Sequence, residues 1–354
     1  MSDVKLPGRL GNPDMTFEED PRADPRIAAA FGLMALAEGV ESIGPDAGYE
    51  EALDYAAAFE SVGELAHPAM METMPTFDDV ESAVETIAGV DGNEITLYIE
   101  KPKNQTGPLP CIVHMHGGGM VLATAADPMY IRWRKMLADT GMVVVGVEFR
   151  NGGGRLGNHP FPAGLHDCAT ATQWTYANKA RLGIATIVVS GESGGGNLCI
   201  ATALKAQSEG WADQIDGVYA LCPYISGSYL NPPTDLPSLH ENDTYMLECN
   251  MMASLVKVYD PNGEHVTNPL AWPLQARVED LTGLPPHIIS VNELDPLRDE
   301  GLEYYRKLAK AGVSAVARTV HGTPHGGDMG FVDVAPEITA ETVRSICGFV
   351  SSLG

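Results

Sequence analysis

The stretch Gly191-Glu192-Ser193-Gly194-Gly195-Gly196-Asn197 constrains this chain more than any other. An apolar, β-branched run, Ala185-Thr186-Ile187-Val188-Val189-Ser190, precedes it, and a helix-period segment from Leu198 to Gln207 follows. Strand, glycine turn and helix in that order are the setting of a nucleophile elbow, G-x-S-x-G. A strand that reverses sharply into a helix strains its middle residue, and neighbours without side chains let the two segments pass closely. The serine is then lifted to a helix N-terminus, where free backbone N–H groups favour developing negative charge. Gly-rich turns of this kind also cradle phosphates, so the motif alone leaves more than one chemistry open. The rest of the chain must supply a base, an acid to orient it and an oxyanion hole.

Around the elbow the chain alternates strands with helices. Ala83–Ile87 and Glu94–Ile99 read as a hairpin about Asp91-Gly92-Asn93. Buried strands are expected at Pro110–Met115, Gly141–Glu148 and His287–Val291, and further strands at Gly217–Cys222 and Ser314–Val320. Helices are expected at Met129–Asp139, Leu165–Lys179, Asp299–Ala311 and Pro336–Ser351. This alternation implies a mostly parallel sheet covered by helices on both faces, an α/β fold. Two regions stand outside it. Residues 1–25 are rich in Pro, Gly and acid and read as a loose arm, and Pro25–Met74 has helical spacing only, including Ile27, Phe31, Leu33, Met34 and Leu36. Residues 224–272 interrupt the alternation with Pro232, Pro233, Pro237 and a helix near Tyr245–Tyr259. An insertion of that size between core strands is usually functional.

The partners of the serine are read from loops that follow strands, where ligands sit in open α/β sheets. His116-Gly117-Gly118-Gly119 leaves a strand directly. A glycine run there lets the N–H groups of Gly117, Gly118 and Gly119 join that of Gly194 around one oxyanion. For the acid, Asp295 comes first in Asn292-Glu293-Leu294-Asp295-Pro296-Leu297-Arg298-Asp299-Glu300-Gly301, because Pro296 sets a turn that aims it. Glu293 is a rival, while Asp299 and Glu300 suit helix capping. For the base, His321 and His325 both precede a glycine, and His325, fully in its loop, has the better reach. The chain order Ser193, Asp295, His325 is the α/β-hydrolase order. His114 reads as packing in its strand and His116 as a brace for the glycine loop.

Composition excludes some partners. Twenty-two basic residues against 47 acidic ones leave a net charge of −25, which disfavours nucleic acid and anionic membranes. The six cysteines lack C-x-x-C spacing, and Cys111, Cys199, Cys222 and Cys347 sit in apolar runs, so buried free thiols are expected rather than a disulfide framework or a zinc site. No cofactor and no metal is expected. The apolar run Ile27–Ala37 is too short to span a membrane. Its Ala35-Leu36-Ala37 looks like a cleavage site, but Glu18, Glu19, Asp20 and Asp24 stand where a signal peptide wants a basic start. A cytoplasmic protein without membrane insertion is expected, with a homodimer as a candidate assembly.

With these residues assembled, the sequence resembles the hormone-sensitive-lipase-like branch of the α/β-hydrolases. That branch is marked by an H-G-G-G loop, a G-[DE]-S-x-G-G elbow, a D-P-L-R-D-E-G segment and a late H-G, and all four stand here over residues 80–354. Further blocks, Phe149-Arg150-Asn151, His159-Pro160-Phe161-Pro162, Pro223-Tyr224-Ile225-Ser226-Gly227 and Glu241-Asn242-Asp243, are similar to its bacterial lactone-hydrolysing members. One departure is Arg150-Asn151-Gly152-Gly153-Gly154-Arg155, where many relatives carry R-L-A-P-E. The resemblance implies Ser193 as nucleophile, Asp295 as orienting acid, His325 as base and oxyanion donors from Gly117–Gly119 and Gly194. It also implies a helical cap formed by residues 1–80 and part of the 224–272 insertion, over a catalytic domain of residues 81–354. The expected function is a serine carboxylesterase acting on a small ester or lactone. A ligand-binding protein on the same fold, and an amidase or carbamate hydrolase with the same triad, are the alternatives.

Overall fold

Runs of Val, Ile and small residues too short for helices pair into one eight-stranded sheet in the computed structural model, which describes residues 6–34, 40, 43–44 and 46–353. The strands are β1 Val80–Ala88, β2 Glu94–Pro102, β3 Leu109–Met115, β4 Val143–Glu148, β5 Ile184–Glu192, β6 Gly217–Leu221, β7 His287–Asn292 and β8 Ala315–Val320. Their order is β1-β2-β4-β3-β5-β6-β7-β8. The β1/β2 hairpin is antiparallel and β2 joins β4 antiparallel; every later pairing is parallel. β3, β4 and β5 are buried along most of their length, as parallel strands covered on both faces must be.

Register places the chemistry. Met115 pairs with Gly191, Glu192 with Leu221, and Asn292 with Val320. The C-terminal ends of β3, β5 and β6 therefore lie side by side, with those of β7 and β8 beyond them. The loops that leave them are the glycine loop, the elbow, the start of the insertion, the Asp295 loop and the His325 loop.

Several expectations change in detail. The helix expected near Tyr245–Tyr259 begins at Cys249, because Thr244 and Met246 adopt positive φ and hold the chain in a turn. The arm is not loose within residues 6–24. Phe17 is buried against Phe31 and Tyr245, and Arg22 pairs with Asp20 at 2.7 Å and with Glu241. One aromatic and one arginine anchor a segment whose composition suggests a coil. Leu36 and Ala35-Leu36-Ala37 lie outside the described residues, as do the side chains of Leu33 and Met34. All six cysteines are free; five are buried, but Cys347 is partly exposed on the outer helix Pro336–Ser351.

Helix Tyr49–Glu64 packs on helix Cys249–Tyr259 of the insertion, across the mouth of the strand ends. Glu60 fixes the first of these to the sheet: its carboxylate accepts the N–H of Ala123 at 2.8 Å and of Arg155 at 2.6 Å. No helix among the described residues is long and apolar enough to cross a membrane.

Candidate active site

Ser193 sits between β5 and helix Gly194–Glu209 with φ 57° and ψ −117°, a conformation forced on a residue with a side chain. Its N–H donates to Leu221 O at 2.9 Å, and its carbonyl accepts from Asn197 at 3.0 Å and Tyr224 at 3.1 Å. The flanking glycines have a steric cause. A Cβ on Gly195 would lie 1.9 Å from Met115 O, and one on Gly191 would lie 2.4 Å from the same oxygen. β3 and the elbow thus touch backbone to backbone.

That contact also brings the glycine loop to the serine. A Cβ on Gly194 would lie 2.7 Å from Gly119 N and 2.5 Å from Met120 N, so these amides converge beside the elbow. Gly118, Gly119 and Met120 all have positive φ, at 98°, 63° and 61°, a turn of the kind that aims successive N–H groups into one concavity. Neither Gly118 N–H nor Gly119 N–H finds an acceptor among the described residues. Gly117 differs: its N–H donates to Glu192 Oε1 at 2.9 Å. It is already satisfied and unavailable to an oxyanion, which leaves Gly118, Gly119 and Gly194 from the expected set.

Glu192 was not singled out by the sequence. Its other oxygen, Oε2, lies 3.0 Å from His114 Nε2, so one buried carboxylate ties the elbow to β3 and to the glycine loop. His116 braces the loop from within. Its Nδ1 lies 2.8 Å from Gly117 O, and its ring stacks on Phe149 at 4.1 Å. Burial pushes its pKa down to about 3, so it is neutral.

His325 and Asp295 meet. His325 Nδ1 lies 2.8 Å from Asp295 Oδ2. The other oxygen of Asp295 accepts the N–H of Leu297 at 2.9 Å, across Pro296, which has none to offer. Burial opposes the charged form of His325, but the adjacent Asp295 carboxylate outweighs it and holds its pKa well above 6.5. The rivals pair with each other elsewhere: His321 Nδ1 lies 3.0 Å from Glu293 Oε2, with His321 exposed. Asp299 Oδ2 accepts from Ser238 N at 2.7 Å. Glu300 is buried, which raises its pKa to about 7, and accepts from Ile225 N at 2.6 Å and Tyr229 Oη at 2.8 Å.

Two asparagines that sequence reasoning missed set these loops. Asn292 Nδ2 donates to Thr323 Oγ1 at 2.7 Å and to Asp328 Oδ1 at 3.1 Å, while its Oδ1 accepts Gly326 N–H at 3.2 Å. Asn242, from the insertion, donates to the carbonyls of Glu293 at 3.2 Å and Asp295 at 3.1 Å. Its place in Glu241-Asn242-Asp243 was the only signal that could have found it.

Ser193 and His325 line one cavity of about 360 Å³. Gly117–Gly119 and Cys222 complete its floor, and Phe59, Met70, Met251, Met252 and Leu255 close it from above.

The fold agrees with known proteins. A family profile for the alpha/beta hydrolase fold matches residues 112–329. The solved structure of brefeldin A esterase, described as a bacterial homologue of human hormone-sensitive lipase, is 43% identical, covers 99% of each chain and superposes with a TM-score of 0.94. Esterase Est22 is 39% identical over 95% of this chain and 99% of its own, with a TM-score of 0.86. Esterase LipI of Mycobacterium tuberculosis is 31% identical over 276 residues, 77% of this chain and 81% of its own. By profile, sequence and superposition, the chain belongs to the alpha/beta hydrolase fold family, in its hormone-sensitive-lipase-like branch.

Proposed function

We propose that this protein is a serine carboxylesterase that hydrolyses small hydrophobic esters or lactones through an acyl-enzyme. The observation that carries the reading is the 2.8 Å contact between a buried Asp295 and His325, which lines the same cavity as the strained Ser193. Asp295 keeps the Nδ1 proton in place, so Nε2 presents its lone pair to Ser193. His325 takes the Ser193 proton, Ser193 Oγ bonds the carbonyl carbon, and the oxyanion is held by the N–H groups of Gly118, Gly119 and Gly194. His325 then protonates the leaving alcohol, and water activated by the same ring releases the acid. Each oxyanion donor is worth about 2.7–4 kcal/mol of transition-state stabilisation.

Residues 1–80 and part of the 224–272 insertion act as a cap over a catalytic domain of residues 81–354. The packing of helix Tyr49–Glu64 on Cys249–Tyr259 supports this. An apolar cavity suits an uncharged ester, and likeness to an esterase named for brefeldin A supports lactones within the substrate class. A cytoplasmic location is supported by six free thiols, since oxidising compartments favour disulfides. The deciding experiment is a panel of short and long acyl p-nitrophenyl esters, a macrolactone and an isosteric amide, run against wild type and Ser193→Ala. Hydrolysis of the amide at the rate of its ester, or undiminished turnover by Ser193→Ala, overturns the reading.

A further inference from the structure

Ester hydrolysis uses no sulfur, yet the cavity floor holds a thiol against the triad. Cys222 Sγ, a carboxylate oxygen of Asp295 and a ring nitrogen of His325 lie within 4.8 Å of one another, and this is the one cluster of its kind among the described residues. The three residues follow β6, β7 and β8, so sheet register assembles them and no sequence spacing could. Cys222 is held in place: its φ is 35°, a costly value for a side-chain-bearing residue, and its N–H donates to Ser290 O at 2.7 Å. Cys222 and Asp295 are buried, while Cys222 and His325 line the catalytic cavity, which is the way in for a small ion.

Thiolate, imidazole and carboxylate together are the donor set of zinc-like ions. Three protein ligands leave a fourth position for water, and the sulfur selects against magnesium and calcium. We propose that Cys222, Asp295 and His325 form a binding site for a thiophilic divalent cation such as zinc or cadmium, whose occupation switches the hydrolase off. Bound at either ring nitrogen, the cation leaves no lone pair for Ser193. At Nε2 it takes the pair itself; at Nδ1 it sends the ring proton to Nε2. The thiol proton leaves to solvent and no electron changes hands. The site is inhibitory, so the reaction itself needs no metal. Loss of activity rests on the esterase reading above; binding does not.

The test reads binding without turnover. Chelator-treated Ser193→Ala protein, titrated with zinc chloride, should bind one equivalent, and its cobalt(II) form should show a thiolate-to-metal charge-transfer band. Adding Cys222→Ala should abolish the band and weaken zinc binding by about 10-fold or more. In enzyme with Ser193 intact, zinc should inhibit reversibly by chelator, magnesium should not, and Cys222→Ala should need about 10-fold more zinc, each protein scored against its own metal-free rate. Cys222→Ser serves the same comparison if the alanine variant does not fold. Equal zinc affinity with and without the thiol, or no stoichiometric binding, overturns the site. Binding as expected without any esterase activity would overturn the esterase reading and leave the site standing.

Discussion

At the floor of the catalytic cavity β3 and the elbow meet backbone to backbone; above it, helices Tyr49–Glu64 and Cys249–Tyr259 are tied down by side chains. Gly191 and Gly195 let β5 and its helix touch Met115 O directly, and an added Cβ would meet that oxygen at 2.4 or 1.9 Å. The helices overhead are fixed by long side chains, with Glu60 bonded to Ala123 and Arg155 and Lys257 Nζ donating to Ala47 O. Their inner surface carries Met70, Met251 and Met252, flexible side chains that fit varied apolar shapes. On the esterase reading the floor sets the reaction and the roof sets what is admitted; the floor has no room for a Cβ at Gly191 or Gly195, while methionines in the roof can adapt.

Substitutions can break this contrast, and the largest effects belong to the floor. Ser193→Ala should lower kcat by about 10⁴-fold or more with its melting temperature unchanged, checked by steady-state kinetics beside thermal unfolding. Asp295→Asn should cost about 10³–10⁴-fold in kcat. It should also move the acid limb of the pH profile. Only neutral His325 can accept the Ser193 proton, so activity falls as pH drops through its raised pKa, above 6.5. Asp295 is the largest influence that raises that pKa against burial, with Cys222 behind it; without the Asp295 charge the limb should shift to lower pH while the plateau falls. A limb that stays put would show that Asp295 does not set the histidine. Gly195→Ala should cost about 3 kcal/mol or more of stability, read by urea unfolding, because a backbone oxygen cannot move aside.

The roof should respond more weakly. Glu60→Ala leaves two backbone N–H groups without their acceptor, a loss of about 1–3 kcal/mol if they stay buried. Because Ala123 follows the glycine loop, its kcat should fall on every ester alike, and a fall confined to long esters would refute that link. Met252→Leu is nearly isosteric and should cost less than about 1.5 kcal/mol of stability. Its expected mark is a changed ranking of acyl chain lengths with kcat on the shortest ester nearly unchanged, seen in the same substrate panel.

The strand–helix alternation was legible because each element carries its own period and turn residues. Residues 6–24 of the arm differ from their coil-like composition because one aromatic and one arginine, Phe17 and Arg22, outweigh it once Tyr245 and Glu241 are beside them. Ser193, Asp295 and His325 could be picked out locally, since a glycine pair, a proline and a loop glycine mark each one. Nothing local distinguishes Gly117 from Gly118 and Gly119. Only Glu192, brought alongside by the pairing of β3 with β5, shows that its N–H is already taken. The contacts of Asn242, Asn292, Glu60 and Cys222 could not be read for the same reason: their partners are remote in sequence.

By itself, then, the sequence determined the α/β-hydrolase fold, the elbow and the order of serine, acid and histidine. These depend on periodicity and on turn chemistry within a few residues. The tertiary structure alone decided which amides remain free for an oxyanion, that the rival Glu293 pairs with His321, and that a thiol stands beside Asp295 and His325. Those facts depend on distances between strand ends, which the register of the sheet sets and no local pattern encodes.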